Sequence, residues 1–293
     1  MALHLDKAPP KRETAEQPPC VLVGDPPCYE ATMTSNSVRI RRSGVAVVAL
    51  LAPAILLAQQ PSFDGTWKLN LAKSHLSGST YTFHKKPSGE WHYSGGGFEA
   101  DFDLSGKEYT MPSGASIIGK ENGPRSWELS FRMGGKPISR SQVTLKGNSL
   151  MWVSDVTSPD GKTVHQTSTD TRVSGGPGFA GKWKAGTPAG GATTLKITMQ
   201  GTDGMTMETP EYQTEVKGSF DGGDIPVMQA GQASKFTNAF AKSGPNTVKV
   251  TTKLNGKPFA VDFYRLSADG KTLTDESTAV ATGEKTKAVF DRE

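Results

Sequence analysis

One phrase, written twice, constrains this chain more than any other feature. The pattern Pro-x-Phe-x-Gly-x-Trp-Lys begins at Pro61 and again at Pro177. Its fixed positions are Phe63, Gly65 and Trp67 in the first copy and Phe179, Gly181 and Trp183 in the second. The likeness continues downstream. Met133-Gly134-Gly135-Lys136-Pro137 matches Leu254-Asn255-Gly256-Lys257-Pro258, 70 residues beyond Trp67 and 75 beyond Trp183. Self-similarity at this period marks a duplicated structural unit. The expected organisation is repeat 1 over 61–173, a linker over 174–178 in "VSGGPG", and repeat 2 over 179–293.

Within each repeat the hydrophobic period is two. Trp127, Leu129, Phe131 and Met133 alternate with polar residues, as do Phe98, Ala100, Phe102 and Leu104, and later Leu195, Ile197 and Met199. Successive side chains of a strand point to opposite faces, so this pattern predicts half-buried strands. Turn signals such as "KGN" at 146, "NGK" at 255 and "ADGK" at 268 separate the runs. Many short antiparallel strands in about 115 residues can bury one face each in a sandwich or a closed barrel.

The stretches Gly65-Thr66-Trp67 and Gly181-Lys182-Trp183 resemble the opening of the calycin superfamily, the lipocalins and fatty-acid-binding proteins. These begin their first strand with Gly-x-Trp. "GEKTKAVFDRE" at the end also resembles the last strand of a fatty-acid-binding protein. The resemblance implies an all-β chain of two tandem antiparallel up-and-down β-barrels, each with an apolar lumen for a lipid-like ligand. It implies that the glycine allows close backbone approach and that the indole plugs one barrel end. The chain departs from fatty-acid-binding proteins in two places. "LAKSHLSGST" is too short for their helix pair, and neither "TSTDTRV" nor "TKAVFDRE" holds their Arg-x-Tyr pair. Their ligand chemistry is therefore not carried over.

The N-terminal part reads as an address. Arg39, Arg41 and Arg42 precede an apolar run from Gly44 to Ala58. Fifteen apolar residues suit the core of a signal peptide and fall short of the roughly 20 needed to span a bilayer. Residues 33–58 are expected to be a cleaved export signal, with an uncleaved anchor as the alternative. Residues 1–32 are Pro-rich and aperiodic; they are expected to be a mis-called start, with Met33 the true one, or a disordered extension. The expected location is secreted or periplasmic. Cys20 and Cys28 both lie before the signal, so the exported chain would rely on its core rather than on disulfides.

Composition excludes some partners. Residues 1–60 hold six Lys/Arg and five Asp/Glu, which leaves 27 − 24 = +3 for the remainder, scattered singly. A groove tracking nucleic acid needs a clustered basic face. No Gly-x-Ser-x-Gly, HExxH or phosphate-binding loop occurs. His84 and His92 flank "KKPSGEW" and could share a metal across a hairpin, but no third ligand stands near in sequence. "DFDLSGKEYTMP" (Asp101 to Pro112) starts like a calcium loop but carries Pro112 where the closing glutamate belongs, so a hairpin is expected. Neither a cofactor nor a metal is expected, and no catalytic residue is assigned. Arg132 and Arg140 flank the "GGKP" turn and are the candidates to meet an acidic ligand head inside a barrel. The function expected from these features is non-enzymatic binding of a small apolar or lipid-like ligand. The alternatives are an envelope interaction module with solid barrels, and a hydrolase or isomerase.

Overall fold

The structure is a computed structural model and describes residues 61–76, 78–158, 161–190 and 194–293. The expected export signal, the expected mis-called start and both cysteines lie outside the described residues. Among those described, 21 strands and two single-turn 3-10 helices make two antiparallel barrels of about ten strands. The all-β, two-barrel expectation is met.

The barrels are not cut where the repeats are. The first barrel consists of the nine successive strands from Thr80–Lys85 to Thr163–Ser174, plus Gly181–Lys184. That last strand carries Trp183 and lies between Thr80–Lys85 and Thr163–Ser174, with Trp183 opposite Tyr81 on one side and Arg172 on the other. The second barrel consists of the nine strands from Thr194–Gln200 to Lys285–Arg292, closed by Gly65–Leu69. There Trp67 stands opposite Leu195 and Arg292. Each Gly-x-Trp strand therefore closes the barrel of the other repeat. The boundaries 61–173 and 179–293 follow the duplication in the sequence but not the two barrels. The first barrel is a continuous run from Thr80 to Lys184, set between the first strand of the second barrel and its remaining nine.

The physical reason lies at one end of each barrel. Trp67 and Trp183 are completely buried, and each donates its Nε1–H to the carbonyl of the preceding phenylalanine, Phe63 or Phe179, at 3.0 Å. An arginine from the last strand of the same barrel covers each indole, Arg292 over Trp67 and Arg172 over Trp183, both at 4.1 Å. Such stacking adds a cation–π attraction to the burial. The guanidinium groups also satisfy loop carbonyls: Arg172 donates to Ala180 at 2.9 Å and to Gly178, and Arg292 donates to Gly270 at 2.6 Å and to Asp64. Glycine is required beside them. Gly65 and Gly181 have φ of +140° and +142°, and a Cβ there would lie 2.7 Å and 2.9 Å from the arginine nitrogens. The two phrases match in the indole-to-carbonyl bond, the stacked arginine, its bonds to the carbonyls just before the glycine, and the glycine itself.

The opposite ends face each other. Turns of the first barrel meet turns of the second: Lys136 Nζ donates to the Ala230 carbonyl at 3.1 Å, Gln213 Nε2 to the Thr157 carbonyl at 2.7 Å, and Asn255 Nδ2 to the Pro112 carbonyl at 3.1 Å. Ala230 is part of the first barrel's core cluster. The two segments that connect the barrels, after Leu69 and after Lys184, leave from these same ends. The crossing is short because mouth meets mouth.

The second barrel is a closed ring of hydrogen-bonded strands. The first is open along one seam, between Phe98–Phe102 and Ser105–Thr110, which do not pair. There the chain turns a corner at Asp103, whose Oδ1 accepts from the Ser105 amide at 3.0 Å and the Ser105 hydroxyl at 2.7 Å. This corner is the structure of the stretch that begins like a calcium loop.

Candidate ligand-binding lumens

The first lumen is aromatic and aliphatic. Its closed end is filled: Phe179 stacks on Trp127 at 3.7 Å, and Trp91 lies 4.6 Å from Trp127. Above this plug sits a cavity of about 280 Å³ lined by Phe98, Ala100, Phe102, Met111, Leu129, Phe131 and Trp152 among others. Alternation along Ser126–Met133 and Phe98–Phe102 aims these side chains inward, as their period of two requires. A buried polar pair stands behind this lining. The Tyr81 hydroxyl donates to Asp170 Oδ2 at 2.5 Å, and the Gly186 amide donates to Asp170 Oδ1 at 2.9 Å. Burial and the Asp170 carboxylate push the Tyr81 pKa far up, and burial raises that of Tyr93. Trp152 lies near enough to the Tyr81 oxygen to oppose that rise slightly. Its Nε1–H nevertheless meets no acceptor at hydrogen-bond geometry and is buried.

The second lumen has a similar size, about 260 Å³, and a different lining. Its closed end is apolar: Trp67, Phe240, Val248, Leu273 and Phe290 form one buried cluster. Toward the mouth the inward positions turn polar. Counting by twos from buried Leu266 reaches Tyr264 and Asp262; counting from buried Leu273 reaches Asp275 and Ser277. Tyr264 stands opposite Asp275, and Asp262 opposite Ser277. Burial, with Asp262 nearby, pushes the Asp275 carboxyl up to about 7. Burial also raises Asp262, against the opposing hydrogen bonds of Ser277 and Thr252. Asp275 Oδ1 and Asn238 Oδ1 are buried and have no hydrogen-bond partner. No lysine, arginine or histidine lines this cavity.

The arginines expected inside a barrel are on its outside. Arg140 is 64% exposed and pairs with Glu128, and Arg132 is exposed on the neighbouring strand. Unbroken alternation along Ser126–Met133 keeps Leu129 and Phe131 on the cavity wall and leaves Arg132 in solvent. The residues that the sequence reading passed over are Arg172 and Arg292, which hold the plugs, and Asp262, Tyr264 and Asp275. The first two stand in the very stretches compared with the final strand of the fatty-acid-binding proteins.

His84 and His92 do lie directly opposite each other across adjacent strands. They sit on the outer face, where His92 Nδ1 lies 2.7 Å from Asp101, which Lys86 also engages at 2.7 Å. His165 is exposed beside Asp155, and His75 is exposed opposite Lys287. Among the described residues no group of three or more His, Cys, Asp or Glu side chains could hold a metal ion.

Comparison with known proteins finds no matching family model, no matching curated sequence and no matching solved structure.

Proposed function

We propose that the chain is an exported, calycin-like binding protein that holds a small apolar ligand in the lumen of its first barrel without transforming it. The cavity of about 280 Å³ walled by Phe98, Phe102, Met111, Leu129 and Phe131 carries this reading. Apolar cavities of this kind stay dry and accept apolar guests. Its volume stands at the small end of ligand pockets, which start near roughly 300 Å³. A compact ring compound or a short-chain lipid suits it better than a full-length fatty acid. The unpaired Trp152 Nε1–H favours a guest with one acceptor, such as a ketone, ester or alcohol oxygen. The Gly-x-Trp strands with their stacked arginines support the calycin-like reading. The Arg-rich, apolar stretch before Gln59 supports export. Four histidines outside the lumens favour a binder over histidine-based catalysis.

The experiment is a fluorescence titration of the full chain with a neutral naphthalene probe, together with mass spectrometry of solvent extracts of the purified protein. Ala100 faces the cavity, so Ala100→Phe fills it. The expected result is at least about tenfold weaker binding in that variant, with circular dichroism unchanged. Undiminished binding in a folded Ala100→Phe protein would sink the reading.

A further inference from the structure

The second lumen poses a problem that packing alone does not solve. Asp262 lines a cavity of about 260 Å³ that no cationic side chain lines, and Asp275 stands just behind it on the neighbouring strand, opposite the lining residue Tyr264. Buried charge is costly unless it is paired. Asp275 Oδ1 and Asn238 Oδ1 are buried acceptors without a donor, and buried polar atoms are seldom left so. Unpaired acceptors of this kind lack a group with several N–H donors. About half of the wall is apolar, with Val216, Val227, Phe236 and Val250 among its residues, and Thr209, Thr214 and Thr252 add neutral hydroxyls.

We propose that the second barrel binds a small organic cation, a primary amine with a short apolar or aromatic body. Its ammonium group sits against Asp262 and Asn238, with Asp275 one strand behind, and its body lies against Val216, Val227 and Phe236. An ammonium carries three donors and no acceptor, which suits the Asp262 carboxylate and the Asn238 carbonyl on this wall. Tyr264 and Phe236 offer ring faces, a surface that attracts cations. A metal ion matches less well. Two carboxylates fall short of the oxygen set of a calcium site, and half the wall offers no ligand atom. The first lumen has the reverse lining, so this site stands independently of the apolar site proposed there.

The test is calorimetric titration of the full chain with benzylamine, with its neutral isostere benzyl alcohol, and with calcium chloride. Benzylamine is expected to bind at least about tenfold tighter than benzyl alcohol. The double variant Asp262→Asn, Asp275→Asn keeps the shape of both side chains and is expected to erase that preference. Naphthalene binding in the first barrel is expected to be unchanged in it. Equal affinity for amine and alcohol in the unaltered protein overturns the proposal, whatever the variant does. So does a preference that survives in the folded double variant, or heat from calcium alone. Loss of naphthalene binding with amine binding intact would count against the first site only.

Discussion

The two barrels are closed by the same device and filled with opposite chemistry. Around Trp67 and Trp183 the same indole-to-carbonyl bond, arginine stack and glycine recur, with the same 3.0 and 4.1 Å separations. On the strands that wall the lumens the likeness ends. Leu129 and Phe131 face one cavity where Val250 and Thr252 face the other, and Asp262 has no counterpart in the first lining. Closure demands one geometry, because an end must be plugged and its loop carbonyls satisfied. A lumen only has to be lined, so its chemistry can diverge while the barrel still closes.

The largest effect that can break this comparison concerns which strand closes which barrel. A fragment spanning 78–190 carries every strand of the first barrel, whereas 61–173 lacks Trp183 and carries the strand that closes the other barrel. The first fragment is expected to fold cooperatively by thermal circular dichroism and the second not to. The opposite result would show that each phrase serves its own repeat. Next come the plugs. Trp67→Ala and Trp183→Ala each remove a fully buried indole at a cost of roughly 3–5 kcal/mol. Hydrogen exchange should place the damage crosswise: Trp67→Ala loosens the strands after Thr194, and Trp183→Ala those from Thr80 to Ser174.

A smaller effect separates the lumens by pH. Burial lifts the Asp275 carboxyl to about 7 in the folded state, against 3.8 for a free aspartate, so the folded second barrel holds a proton that the unfolded chain releases. Stability is therefore fullest below the unfolded value and is lost as pH rises toward and through 7. Between pH 5 and 8 the second barrel should lose roughly 2–4 kcal/mol. Asp275→Asn should flatten that slope and be the more stable form at pH 8, as chemical denaturation at the two pH values would show. A slope unchanged by the substitution contradicts the assignment. The smallest expected effect belongs to Arg140. Its exposed pair with Glu128 should contribute about 0–1 kcal/mol, and Arg140→Ala should leave naphthalene binding as it was.

The sequence carried the strands, the turns and the two plugs openly, because burial at period two and Gly-x-Trp are local patterns. It could not say which barrel each Gly-x-Trp strand closes. The two phrases make the same contacts, and the choice rests on mouth-to-mouth packing of distant turns such as Lys136 with Ala230. The acidic lumen was hidden by an inverted pattern. In "AVDFYRL" the apolar Val261 and Phe263 look like the inward residues, yet the count from buried Leu266 turns Asp262 and Tyr264 inward. Arg265 covers Phe263 instead, at 5.4 Å. The arginines at 132 and 140 failed as lumen candidates for the same reason of phase. Arg132 alternates with the inward Phe131 and Met133, so the period of two along that strand places it outside.

The most direct measurement is a methyl-resolved NMR titration of the full chain with naphthalene and, separately, with benzylamine. Naphthalene should shift the Ile117, Leu129 and Met111 methyls, and benzylamine those of Val216, Val227 and Val250. Two probes moving the same set of methyls, or neither moving any, would contradict two lumens of opposite chemistry.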